Sequence, residues 1–185
     1  MDVTVLLGLS LTNVEVDVSR SAVTVSGWLN IGWKNPALSW TSDNSVLKNI
    51  ERTYLHMDQM WIPDMRPINM LDIAKSWFGK TVALVWRDGR AHLGLPVTIS
   101  FRCKNTVTDD SDQFRCPITI GPWVHSVDEV DVQPASDTVD VSHIVASGAW
   151  RVARSSVVRR EVTYACCPRE FAMLDMELIL RPQYC

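Results

Sequence analysis

Apolar and polar residues alternate along most of this chain. In residues 14–18 valines alternate with acidic residues, and in residues 174–180 leucine and methionine do the same. Because successive side chains of a β-strand point to opposite faces, a period of two predicts strands with one buried face. Similar runs lie at 3–11, 22–33, 81–86, 97–101 and 157–164.

Turn signals separate several of these runs, and helical periodicity is weak throughout. Asp88-Gly89 is a dipeptide typical of tight hairpin turns. Residues 69–77 are the one stretch in which we expect a turn or two of helix. The pattern therefore predicts an all-β antiparallel sandwich. Residues 1–185 contain no repeat, low-complexity segment or linker, which predicts a single domain.

Composition narrows the classes of partner. The 185 residues are 46% apolar, which is enough for a core that folds without disulfide bonds. The formal net charge is -3 with scattered Lys and Arg, which argues against nucleic-acid binding and mildly favours cationic ligands. No apolar run approaches the roughly 20 residues that span a bilayer, and residues 1–20 lack the basic start of a signal peptide. We expect neither a nucleic-acid nor a membrane partner.

Two adjacent cysteines, Cys166 and Cys167, are the most unusual local feature. Consecutive Cα atoms lie about 3.8 Å apart, less than the roughly 4.4 to 6.8 Å of ordinary disulfides. A bond between them would therefore stiffen and kink a loop. The alternatives are two reduced core thiols or half of a metal site, but no His or Cys at ligand spacing completes such a site. We predict the vicinal disulfide and no metal or cofactor.

The other cysteines point to an oxidising compartment. Cys103 and Cys116 enclose 12 polar and acidic residues, which suits a structural disulfide in a secreted protein. Cys185 is then left over, and it is either a free exposed thiol or a bridge between chains. Both alternatives stay open. The sequence has no Asn-x-Ser/Thr acceptor site, so glycosylation adds nothing to the argument for secretion.

Eight tryptophans are many for this length. We expect Trp61, Trp77 and Trp150 to fill the space between the sheets. In contrast, Trp28, Trp33 and Trp123 lie near strand ends or turns beside polar residues, which suggests exposed aromatic faces that form a box.

Sequence motifs of enzymes are absent. The chain contains no Gly-x-Ser-x-Gly, His-Glu-x-x-His or glycine-rich phosphate loop. Its histidines, His56, His92, His125 and His143, are dispersed, and each suits a surface or hydrogen-bonded strand position better than the role of a base. We expect no enzymatic activity.

Six short motifs carry a resemblance to a known family over essentially the whole chain. They are Trp28-Leu29-Asn30-Ile31-Gly32-Trp33, Trp61-Ile62-Pro63-Asp64, the Cys103 to Cys116 loop, Gly121-Pro122-Trp123, Gly148-Ala149-Trp150 and Tyr164-Ala165-Cys166-Cys167-Pro168. In order and spacing the chain resembles the ligand-binding domains of Cys-loop receptors, and within them most closely the acetylcholine-binding proteins of molluscs. The resemblance implies an immunoglobulin-like sandwich of about ten strands. It also implies a homopentamer with ligand sites between neighbouring subunits, which Cys185 could link further.

The resemblance also implies the residues of the site. The principal face would use Trp123, Tyr164, Cys166, Cys167 and Phe171, and the neighbouring subunit would supply Trp28, Asn30, Leu93 and Leu95, with His92 on the same strand. The ligand would be acetylcholine or a related quaternary or tertiary ammonium compound. A quaternary ammonium group has no N–H to donate, so aromatic faces bind it, at about 0.5 to 2 kcal/mol per ring.

Three positions depart from the family pattern. Ile68 and Phe171 stand where relatives have cage tyrosines, and Thr119 stands where many have lysine. We expect weakened or altered ligand selectivity rather than loss of binding. Thr119 also replaces the lysine of a charged network that couples this loop to the sheet in many relatives. Asp64 is retained, and by resemblance it would brace the loop of Trp123 through hydrogen bonds.

The loop between Cys103 and Cys116 bears on whether the chain is soluble. In channel-forming relatives this loop touches the membrane domain through an aromatic-Pro-x-Asp core. Here residues 104–115 contain no proline and three aspartates, which offers little apolar surface for docking. We therefore expect a secreted, extracellular, soluble acetylcholine-binding protein. The alternatives are the extracellular ligand-binding domain of a nicotinic-type channel, favoured by the pre-membrane character of 180–184, and a structural pentamer with weakened binding.

Overall fold

The computed structural model describes residues 2–41, 47–76, 81–108, 111–145 and 148–183. Two residues with sequence-based predictions, Trp77 and Cys185, lie outside these ranges, so both predictions stay as they are. Two short 3-10 helices, Pro36–Leu38 and Met57–Gln59, lie between strands. The strands are β1 Val3–Asp17, β2 Ala22–Lys34, β3 Arg52–His56, β4 Met65–Pro67, β5 Met70–Ser76, β6 Val82–Trp86, β7 Arg90–Arg102, β8 Lys104–Thr108, β9 Ser111–Pro122, β10 Val130–Pro134, β11 Trp150–Thr163 and β12 Glu170–Pro182.

The strands form two sheets packed as a sandwich. The larger sheet has the order β10-β1-β2-β7-β6-β3, with β5 also paired to β7, and the smaller has the order β11-β12-β9-β4, with β8 paired to β9. All named pairs are antiparallel except β1 with β10, which run parallel. The predicted all-β sandwich is confirmed. Among the described residues, no helix is long and apolar enough to cross a membrane.

The core lies between the sheets, and the alternation along each strand explains it. In β1 the side chains of Val5, Leu7 and Leu9 are buried, whereas Leu6 between them is 51% exposed. The smaller sheet contributes the inward side chains of β9 and β12, such as Ile118 and Leu178. Burial of one face of each strand provides the main driving force for the fold.

Within 69–77, where we expected a turn or two of helix, Met70–Ser76 form strand β5 instead. Met70 pairs with Phe101 and Ile73 with Ile99 across β7, with two irregularities in the register. The prediction of helix was wrong because pairing with the long strand β7 satisfies the backbone hydrogen bonds of this segment.

Two tryptophans differ from expectation in whether their side chains are buried or exposed. Trp33 was expected in an exposed box, but it is 4% exposed because its pairing with Val5 and Ala91 puts it on the inward face. Trp61 was expected in the core, but it is 38% exposed, with its ring centroid 6.1 Å from that of His125. Trp150 packs against the core as expected, edge-on to Phe114.

Both predicted disulfides are present. Cys103 and Cys116 are bonded and buried, and between them β8 and β9 pair from Lys104 with Arg115 to Thr108 with Ser111. Cys166 and Cys167 form the vicinal bond. The first disulfide closes a hairpin of the smaller sheet, and the second lies in the connection between β11 and β12.

Candidate ligand-binding site

A cavity of about 310 Å³ opens beside the vicinal disulfide. All five residues predicted for the principal face line it, namely Trp123, Tyr164, Cys166, Cys167 and Phe171, together with Ile68, Pro122 and Met173. The residues come from the ends of β4, β9 and β12 and from the connection after β11. Among the described residues, none of the lining side chains carries a charge, so this lining is an aromatic and aliphatic surface.

Asp64 holds the segment of Trp123 in place. Its carbonyl oxygen accepts the Trp123 N–H at 3.4 Å, and its Oδ2 accepts the Val124 N–H at 2.9 Å. Pairing of Met65 with Pro122 between β4 and β9 brings the two segments together. The indole of Trp123 nevertheless stays 62% exposed. Because hydrogen bonds fix its backbone and its ring is exposed, Trp123 is available for contact with another molecule.

The connection between β11 and β12 forms the opposite wall. The two strands pair as far as Thr163 with Glu170, and the Cys167 N–H donates to the Tyr164 carbonyl at 3.0 Å in the turn beyond. Tyr164 and Phe171 contact each other nearly edge to face, with ring centroids 5.6 Å apart and an interplanar angle of 67°. Phe171 is 8% exposed and Tyr164 is 37% exposed, so Phe171 supports Tyr164 from the protein side.

A charged network lies below this wall. Thr119 Oγ1 donates to Asp175 Oδ1 at 2.8 Å, and the guanidinium of Arg160 pairs with the other oxygen of Asp175. Arg160 on β11 therefore supplies the positive charge that a lysine at position 119 carries in many relatives. The sequence did not indicate Arg160, because its approach to Asp175 depends on the register of β11 with β12. In that register Asp175 faces Val158, two residues along the strand from Arg160, so both side chains share one face.

The predicted complementary residues do not line this cavity. Trp28 and Asn30 lie on β2 in the larger sheet, half-buried on its outward face. Leu93 and Leu95 are 0% exposed, so their prediction as ligand contacts was wrong. The pairing of β2 with β7 explains this, because Leu93 and Leu95 face the core residues Ile31 and Leu29.

The outward positions of β7 are shifted by one residue from the predicted ones. His92, Gly94 and Pro96 pair with Gly32, Asn30 and Trp28 respectively. Opposed residues of an antiparallel pair share a face. His92 and Gly94 are therefore the β7 positions that accompany the predicted residues of β2.

A close contact with β1 fixes the strand position next to Trp28. A Cβ on Gly27 would lie 1.9 Å from the Ser10 carbonyl oxygen, at the point where the register of β1 shifts between Leu11 and Asn13. Only glycine fits there without movement of the backbone. The rings of Trp28 and His143 are in contact, with centroids 5.0 Å apart. The sequence had suggested no part for His143 in ligand binding.

Comparison with known proteins identifies the family of this chain. Residues 1–184 match the model of the neurotransmitter-gated ion-channel ligand binding domain. The chain belongs to this family. This is a family of ligand-binding domains rather than of enzymes. The observed sandwich agrees with the fold of the family.

Similar proteins include subunits of acetylcholine receptors. The acetylcholine receptor subunit alpha-type acr-16 of Caenorhabditis elegans is 28% identical over 181 residues, which cover 97% of this chain and 36% of the relative. The neuronal acetylcholine receptor subunit alpha-10 of Rattus norvegicus is 25% identical over 169 residues, with 91% and 37% covered. This ligand-binding domain thus spans a little over a third of the length of these receptor subunits.

Proposed function

We propose that this protein binds acetylcholine or a related organic ammonium compound between adjacent copies of the chain in a homopentamer. The observation that carries the proposal is the cavity at the vicinal disulfide, where Trp123, Tyr164 and Phe171 present aromatic surfaces. In the part of the chain that the structure describes, no charged side chain lines its wall. Cation–π attraction of about 0.5 to 2 kcal/mol per ring suits an ammonium group that has no N–H to donate.

The geometry of one chain supports a site that a second copy completes. Trp123 is 62% exposed, although Asp64 fixes its backbone. Trp28 and Asn30 lie outside the cavity, on the outward face of the other sheet. A neighbouring copy would bring this face against Trp123 and close the cage with a further indole. The names of the relatives, which are acetylcholine receptor subunits, support both the ligand class and assembly with further subunits.

We further propose that the protein is secreted and soluble. The support is the hairpin between Cys103 and Cys116, where Lys104, Asn105, Thr106 and Arg115 are exposed and Phe114 is buried. The described part of this hairpin offers polar groups rather than apolar surface to a partner. The alternative is the ligand-binding domain of a channel subunit, which the longer receptor relatives favour. Expression of the complete coding sequence in animal cells separates them: protein in the medium supports secretion, and protein confined to the membrane fraction contradicts it.

Calorimetric titration of the purified protein with acetylcholine and nicotine, together with its mass in solution, tests ligand binding. We expect a pentamer with close to one site per subunit. Trp123→Ala should abolish detectable binding while the pentamer stays intact. Trp61→Ala is the matched control, because Trp61 is also partly exposed but lies outside the cavity. An intact pentamer that produces no heat with either ligand would favour a purely structural assembly, and unchanged affinity of Trp123→Ala would refute the cage.

A further inference from the structure

The segment after β10 is attached firmly to β1 at Asp140. The Leu11 N–H donates to the Asp140 carbonyl at 2.8 Å, and the Asp140 N–H donates to the Leu9 carbonyl at 2.9 Å. These two backbone hydrogen bonds form a parallel bridge at Ser10. The residues that follow Asp140 therefore start from a defined position beside the outward face of the larger sheet.

The carboxylate of Asp140 shapes the following turn. Its Oδ1 accepts the N–H of Ser142 at 3.0 Å and the hydroxyl of Ser142 at 2.6 Å. Its Oδ2 accepts the hydroxyl of Ser10 at 3.2 Å and lies 3.4 Å from Nε2 of His143. The Ser142 hydroxyl and N–H, then Ser10 and His143, lower the pKa of Asp140, so it is ionised at neutral pH.

This turn brings His143 onto the indole of Trp28. The ring centroids are 5.0 Å apart and the planes are inclined by 53°. The same network reaches Asn30, whose Nδ2 donates to Ser10 Oγ at 3.1 Å. Both predicted complementary residues of β2 are therefore connected to the Asp140 turn before any ligand arrives.

We propose that the His143 side chain covers the indole of Trp28, and that an ammonium ligand must displace His143 to complete its cage. This inference rests on the proposed function of the interface site. A ligand gains the cation–π energy of Trp28 only after His143 leaves the ring, so the contact lowers the affinity of every ligand that uses this indole.

The contact with Asp140 adds to the cost of displacing His143. Nε2 of His143 lies 3.4 Å from Oδ2 of Asp140, which also accepts the Ser10 hydroxyl. Movement of His143 away from Trp28 therefore also separates it from Asp140.

The test is calorimetric titration of the intact pentamer with acetylcholine. His143→Ala should raise affinity by about threefold to tenfold. His125→Ala is the matched control, because His125 contacts another partly exposed tryptophan, Trp61, and should leave affinity unchanged. Trp28→Ala should cost more affinity in the His143→Ala background than in the natural protein, since only there is the indole free.

A ligand-independent measurement distinguishes failure of this inference from failure of the proposed function. The fluorine resonance of 5-fluorotryptophan at position 28, identified by its loss in Trp28→Phe, should shift in His143→Ala. If His143→Ala binds acetylcholine and the natural protein does not, this result would also support the inference. Unchanged or weaker binding by His143→Ala would overturn it. If no variant binds acetylcholine but the resonance shifts, the proposed function has failed and His143 is a structural contact only. If the resonance does not shift, the contact itself is refuted.

Discussion

Substitution of Ile68 by tyrosine should tighten ammonium binding. Ile68 follows β4, and its N–H donates to the Thr119 carbonyl at 2.8 Å, so its backbone is held against β9. Its half-buried side chain lines the same cavity as Trp123 and Tyr164. A tyrosine at this position would add an aromatic ring to the wall without a change in the rest of the cage.

The expected size follows from the value of one ring. A cation–π contact that is partly exposed contributes about 1 kcal/mol, which corresponds to about fivefold in affinity at 25 °C. Overpacking of a filled core would cost about 1 to 3 kcal/mol. That cost should not arise here, because the larger side chain can extend into the cavity of about 310 Å³.

Calorimetry with acetylcholine measures the effect, and two further substitutions separate its causes. Ile68→Leu keeps the volume without a ring and should leave the affinity unchanged. Ile68→Phe adds the ring without the hydroxyl and should recover most of the gain. If Ile68→Tyr binds no more tightly than Ile68→Leu, position 68 does not face the cation, and the reasoning from the cavity is refuted.

Two further predictions concern stability. Gly27→Ala should lower the free energy of unfolding by about 1 to 3 kcal/mol or more, because the new Cβ would collide with backbone atoms of β1. Urea titration measures this change. Gly94→Ala on β7 is the control, since no atom of the described residues lies within 4 Å of its added Cβ. Hydrogen bonds from Ser142 hold the folded-state pKa of Asp140 below its ordinary value, so its stabilising contribution is present above the ordinary pKa and lost as the pH falls through the lower folded value. Asp140→Asn should therefore be less stable than the natural protein at neutral pH, and a difference of undiminished size at a pH below the folded-state pKa of Asp140 would contradict this origin.

Much of the fold could be predicted because alternation is a local property. A period of two identifies strands such as β1 and β12 from neighbouring residues alone, and it requires another apolar layer to cover their buried faces. The vicinal disulfide is also local, since its two cysteines are adjacent. The motifs around Trp123 and Tyr164 indicated residues that the structure brings to one cavity, although they are 41 positions apart in the sequence.

The tertiary structure decided what depends on partners distant in the sequence. Alternation states that Leu93 differs in face from Gly94, but the register with β2 selects which of them is buried. The same reason put Trp33 in the core and made a strand of 70–76. Arg160 reaches Asp175, and His143 reaches Trp28, only after strands and turns have assembled. A one-dimensional pattern gives the period of a strand, whereas its register and its contacts are set by long-range pairing.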